Sequence, residues 1–171
     1  MKAQRQSRAE LYGTSQVAEI LSIPEWRVKN FSEGEAYRLP PAHRVGSGRG
    51  SRRLYDWADI FRIAIANHLV EFGFTAEAVG RAVREIPESV LGPYIAMLQS
   101  ENPNTEGLSA KETPLLVSTG YNTWQVRNAS RVSREIRRTL KHTEKSSGIF
   151  VLNLATFCDR VFSQLQEYWG R

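Results

Sequence analysis

The segment RVGSGRGSRRLY, residues 44–55, is the most informative part of the sequence because its three glycines are interspersed with arginines. The wider stretch from Ala36 to Tyr55 contains five arginines and no acidic residue. Glycine adopts positive φ at little cost and lets backbone N–H groups approach an anion closely. The segment therefore predicts a small, basic β-hairpin, which we call the wing.

Two short helices are predicted before the wing. The first has Thr14 or Ser15 as its N-cap, and Pro24 suits the first turn of the second, where a missing N–H costs little. Helical apolar spacing supports both, through Val17, Ala18, Ile20 and Leu21, then Trp26, Val28 and Phe31. Two short helices joined by a tight turn indicate a helix-turn-helix.

The second helix of such a motif lies in the DNA major groove, so Arg27, Lys29 and Asn30 are candidate base and phosphate contacts. Alternatively, these residues form an ordinary solvated helix face, since helix-turn-helix patterns also arise by chance. A glycine-rich loop can also cradle a nucleotide. The spacing here, however, matches neither a P-loop nor a dinucleotide fingerprint.

Two further helices are predicted after the wing. Helical periodicity starts at Asp56 and ends at Phe72-Gly73-Phe74, where Thr75 caps the next helix and Pro87 stops it.

Residues 12–86 resemble the DNA-binding domain of the MerR family of bacterial transcription regulators. The motifs that carry the resemblance are, in order, Val17–Leu21, Leu39–Arg44, Arg52–Tyr55, Asp59-Ile60 and Leu69–Val79. The resemblance implies a winged helix-turn-helix in which Arg27 and Lys29 meet DNA, Arg53 contacts phosphate and Tyr55 supports the wing. The complete predicted DNA-binding set is Thr14, Ser15, Arg27, Lys29, Asn30, Arg38, Arg44, Arg49, Arg52, Arg53 and Tyr55.

The chain departs from the family in two places. Family members usually have tyrosines near the end of the second helix, where this chain has Asn30 and Phe31, so Asn30 is expected to replace a tyrosine–phosphate contact. Family members also pair through a long helix, which Pro87, Gly92 and Pro93 would interrupt here. We therefore expect a homodimer that does not form through the usual long coiled-coil helix.

The second half of the chain predicts a small α+β module. After a short helix over residues 88–100 and a linker at 101–113, strands are expected at Pro114–Ser118, Thr123–Val126 and Ile149–Leu154, followed by a helix from Ala155 to Trp169. The predicted fold class is thus α+β, a winged helix-turn-helix followed by this module. The domains are a basic tail (1–10), a DNA-binding domain (11–86), a connection (87–113) and a self-association or partner-binding domain (114–171).

Six basic residues between the second and third strands recur at helical spacing, opposite Ala129, Val132, Ile136 and Leu140. They form either a solvated helix face or a second basic surface that meets flanking DNA or an acidic partner. These residues are Arg127, Arg131, Arg134, Arg138, Lys141 and Lys145.

Charge and composition narrow the functional class. The net charge is +5, and residues 1–55 carry ten basic and five acidic side chains. The single cysteine, Cys158, is expected to be a buried structural thiol rather than a reactive one, and His43, His68 and His142 are too scattered to predict a metal site. We expect no cofactor, no catalytic activity, no secretory signal and no membrane span, hence a cytoplasmic, nucleoid-associated protein.

The leading expectation is a sequence-specific transcription regulator that binds double-stranded DNA. An architectural, excisionase-like factor that bends DNA is the runner-up. An interaction protein whose winged helix has lost DNA binding is a third alternative.

Overall fold

The described part of the chain is mixed α and β, with seven helices and two three-stranded sheets. The structure is a computed structural model that describes residues 11–39, 43–46, 52–99, 113–118, 123–134 and 149–169. The predicted basic tail and most of the predicted linker lie outside these residues. So do Arg49, Arg138, Lys141 and Lys145.

The two predicted N-terminal helices are present, as α1 (Thr14–Leu21) and α2 (Glu25–Glu33). The N-cap of α1 is Gly13, so the prediction of Thr14 or Ser15 as the cap is wrong by one or two residues. The Gly13 N–H donates to Gln16 Oε1 at 2.9 Å, so the side chain at the third helical position satisfies the N–H of the cap residue. The turn between the helices places Ser22 in the left-handed region, with φ of 53°.

The predicted hairpin is present and belongs to a three-stranded antiparallel sheet. Strand β1 (Tyr12–Gly13) pairs with β3 (Arg52–Tyr55), and β3 pairs with β2 (His43–Val45), which gives the order β1-β3-β2. Arg44 lies opposite Arg53, and Val45 lies opposite Arg52. Sequence reasoning missed the two-residue strand β1, whose partner lies about 40 residues away along the chain.

Three helices follow the hairpin: α3 (Trp57–Glu71), α4 (Ala76–Arg84) and α5 (Glu88–Gln99). Asp56 caps α3 by accepting from the Asp59 N–H at 2.9 Å, and Thr75 caps α4. Helix α3 ends before Gly73, whose φ is 86°. Pro93 lies inside α5, which therefore runs through the position expected to break a longer helix.

The second sheet has the order β5-β4-β6, with β4 (Pro114–Ser118), β5 (Trp124–Asn128) and β6 (Phe150–Asn153) all antiparallel. Residues 129–134 are helical (α6), and α7 (Leu154–Trp169) ends the described chain. Arg127 belongs to β5, so its placement on the basic helix is wrong. Strand pairing continues beyond Val126 because Leu115 in β4 faces Arg127.

One hydrophobic core joins the two halves. Helix α7 packs against α1, α3 and α5, and its buried residues Phe157, Val161 and Leu165 share a cluster with Ile60 and Val17. The indole rings of Trp57 and Trp169 meet edge to face at 5.1 Å between centroids. The second sheet is thereby fixed to the helices that follow the wing.

None of the helices within the described ranges combines the length and the apolar composition needed to cross a bilayer.

Candidate nucleic-acid interface

Helix α2 and strand β3 are joined by a buried hydroxyl chain. Tyr55 is fully buried, and its hydroxyl lies 2.9 Å from Ser32 Oγ. Ser32 Oγ is also 3.0 Å from the Val28 carbonyl oxygen, which can only accept. Because a serine hydroxyl has one proton, Ser32 donates to Val28 and Tyr55 donates to Ser32. These two hydrogen bonds fix the hairpin against α2 from the core side and keep the Tyr55 hydroxyl out of solvent.

An ion pair makes a second connection between α2 and β3. The Arg53 guanidinium contacts the Glu33 carboxylate at the last residue of α2, and Arg53 is more buried than exposed. Its Nε atom is buried without a hydrogen-bond partner in the described chain. Arg53, predicted to contact phosphate, therefore lies in an intramolecular ion pair.

Several predicted DNA contacts remain at the surface around these connections. Lys29 and Asn30 are exposed on α2, with Lys29 Nζ 3.7 Å from Glu25 Oε2. Arg44 and Arg52 are exposed on the hairpin, and neither has a hydrogen-bond or ion-pair partner among the described residues. They lie on opposite faces of the hairpin, since Arg44 faces Arg53 and neighbouring residues of a strand point to opposite sides.

Arg38 is exposed just before the hairpin and is held by a local bond. Its backbone is left-handed, with φ of 52°, and its Nε donates to the Glu35 carbonyl at 3.0 Å.

Arg27, the main candidate for reading bases, is held by α3. Its Nη1 donates to Asn67 Oδ1 at 2.9 Å and lies 3.9 Å from Glu71 Oε1. Asn67 Nδ2 in turn donates to Glu71 Oε1 at 2.9 Å. The side chain of Arg27 is 29% exposed. Its remaining N–H donors can contact DNA while this network orients the guanidinium.

Trp26 is a surface residue that sequence reasoning assigned to the apolar stripe of α2. It is 61% exposed, and the Arg27 guanidinium lies 5.3 Å from the centre of its ring. A finer helical count could have found it, because Trp26 is two residues before the buried Val28 and so lies on another face.

Two further predicted contacts lie at the start of α1, where Thr14 is partly buried and Ser15 is exposed. On α6, Arg131 and Arg134 are exposed while Val132 is buried, as the basic-stripe pattern predicts. Arg127 in β5 instead donates from Nε and Nη2 to Gln125 Oε1, at 3.0 and 2.6 Å.

Three titratable side chains have shifted pKa values, those of His68, Tyr94 and Cys158, and burial is the largest cause for each. Burial lowers the pKa of His68 below its usual 6.5, the Arg160 guanidinium lowers it further, and Glu71 opposes the shift. Burial, with a smaller effect of Asp159, raises the pKa of the Cys158 thiol to about 12. Cys158 is fully buried, which confirms the predicted burial of this thiol.

No group of three His, Cys, Asp or Glu side chains converges on a metal-sized site within the described ranges. The sequence matches no protein-family model and no curated protein.

Proposed function

We propose that the protein is a sequence-specific, MerR-like transcription regulator that binds double-stranded DNA through α2 and the wing. One observation carries the proposal: α2 and β3 are joined by the Ser32–Tyr55 bond and the Glu33–Arg53 ion pair, while Lys29, Arg44 and Arg52 stay exposed around them. A helix and a hairpin fixed in this way can enter adjacent grooves as one unit.

In the proposed mechanism, α2 and the wing have different roles. The exposed face of α2 reads bases in the major groove, where Asn30 can bond adenine and Arg27 can bond guanine. Arg44 and Arg52 contact phosphate and contribute affinity without sequence information. Arg53 acts as a positioning residue, because its guanidinium already pairs with Glu33.

Self-association through the C-terminal half is part of the proposal. A symmetric dimer would read two half-sites about one helical turn, ~34 Å, apart. Light scattering coupled to size exclusion tests this part directly, and a monomer at micromolar concentration would reject it.

Fluorescence anisotropy with random-sequence and genomic duplexes, started at low salt and followed by selection from a random library, tests the function. We expect binding at low salt and enrichment of a defined motif. Absence of binding at low salt would reject both the regulator and the architectural alternative. Tight binding without sequence preference, accompanied by DNA bending, would favour the architectural factor.

A further inference from the structure

A cleft of about 290 Å³ lies behind the wing, between the α2–β2 connection, β3, α3 and α4. This volume is just below the usual range for ligand pockets, roughly 300–1,000 Å³, so only a compact ligand would fit. Its apolar lining includes Leu39, Ile63 and Val83, all of them buried. The remaining lining residues are Arg38, Tyr55, Asp59, Arg62 and Arg84.

Three arginines and one aspartate line this cleft. One oxygen of the Asp59 carboxylate is hydrogen-bonded at the start of α3, where Oδ2 accepts from the Asp56 N–H at 3.3 Å. Arg84 donates one hydrogen bond to the Tyr37 carbonyl at 3.1 Å, and Arg38 donates one to the Glu35 carbonyl. Each guanidinium has five N–H donors, so most remain available. Arg62 has no hydrogen-bond or ion-pair partner among the described residues.

We propose that this cleft binds a small organic anion, a carboxylate or phosphate monoester carrying a compact apolar group. The arginines would bond the anionic head, in the forked geometry that suits carboxylate and phosphate. The apolar group would cover Leu39, Ile63 and Val83. A bare phosphate would leave that lining uncovered, which is why an organic anion fits better than inorganic phosphate or the DNA backbone.

Isothermal titration of DNA-free protein with phenyl phosphate, benzoate, inorganic phosphate and benzyl alcohol tests the site. We expect saturable one-site binding of phenyl phosphate or benzoate, with inorganic phosphate and benzyl alcohol each at least tenfold weaker. Arg62→Gln should weaken binding of the organic anion at least tenfold. The matched control Arg131→Gln removes an exposed arginine from α6 and should leave binding unchanged.

Three results would overturn the proposal: no saturable binding of either aromatic anion, inorganic phosphate binding as tightly as phenyl phosphate, or equal weakening by Arg62→Gln and Arg131→Gln. Arg38→Gln provides a second, exposed cleft variant in case Arg62→Gln fails to fold. Because no DNA is present, this outcome is independent of whether the proposed regulator function is correct.

Discussion

Tyr55 donates a buried hydrogen bond to Ser32, and this bond ties the wing strand to the helix that carries the proposed base contacts. The relationship makes Tyr55 a structural residue of the interface, with its ring and hydroxyl both inside the core.

Replacing Tyr55 with phenylalanine should lower the free energy of unfolding by about 1 kcal/mol, because it deletes one buried hydrogen bond and keeps the ring. Urea unfolding measures the change. The matched control is Tyr168→Phe, whose hydroxyl has no bond within the described residues and which should change stability by less than about 0.5 kcal/mol. An equal effect of both variants would show that the Ser32–Tyr55 bond contributes nothing specific.

Gly80 and Gly92 should respond differently to replacement by alanine. A Cβ at Gly80 would lie 2.5 Å from the Tyr37 carbonyl oxygen, whereas a Cβ at Gly92 meets nothing within 4 Å apart from its two chain neighbours. Gly80→Ala should therefore destabilise the protein by roughly 1–3 kcal/mol, since α4 must move away from the backbone before the hairpin. Gly92→Ala in α5 should be close to neutral, because the gain in helix propensity is offset by the contact of the new Cβ with the ring of Pro93. Thermal unfolding measures both, and a stabilising Gly80→Ala would contradict the close approach of α4 to Tyr37.

The free energy of unfolding should fall as the pH drops below about 6.5, because His68 is protonated more readily in the unfolded chain than in the folded one. Its pKa is lowered in the folded state, so the unfolded chain binds more protons between the lowered value and 6.5. The contribution of neutral His68 to the free energy of unfolding is therefore fully present above pH 6.5 and is lost as the pH falls through the folded-state pKa. Melting temperatures from pH 5 to 8 should show a weaker pH dependence for His68→Phe than for wild type. The exposed His43→Gln is the control and should retain the wild-type slope; a parallel curve for His68→Phe would exclude His68 as the cause.

Cys158 should react with a thiol reagent such as Ellman's reagent only after unfolding. The thiol is fully buried and its pKa is about 12, so almost no thiolate exists at neutral pH. The rate at which absorbance increases is measured in native buffer and in denaturant, and the two rates are compared. Rapid reaction of the native protein would show that the α7 core opens readily.

The sequence predicted local features well. Asp56, Thr75 and Gly73 mark the helix ends because capping and positive φ act over a few residues, and strand β4 appears with its predicted bounds, Pro114–Ser118. The hairpin was predictable because glycines lie between short runs of strand-forming residues.

Features that depend on distant residues were not predictable in the same way. The bond from Arg27 to Asn67 and the pair between Arg53 and Glu33 join residues 40 and 20 positions apart, and neither leaves a local pattern. Both arginines had looked like free phosphate or base contacts. The cleft likewise needs four separate segments to meet, so its arginines had no common signal in the sequence.

Arg27 should contribute to sequence preference through the orientation that Asn67 gives it. Asn67→Ala removes the 2.9 Å bond and should reduce discrimination between the selected motif and a single mismatch, while non-specific affinity stays nearly unchanged. Competition anisotropy against matched and mismatched duplexes measures the ratio. Loss of affinity for all duplexes by the same factor would assign Asn67 to stability instead.

The salt dependence of DNA affinity tests most directly whether the exposed wing arginines contact DNA phosphate. The double variant with Arg44→Gln and Arg52→Gln should bind every duplex more weakly and lower the slope of log affinity against log salt by roughly 2, about 0.9 for each lost phosphate contact. A variant with Arg131→Gln and Arg134→Gln loses the same charge from α6 and should retain the wild-type slope if that helix face is only solvated. An unchanged slope in the wing variant would show that Arg44 and Arg52 do not contact DNA phosphate.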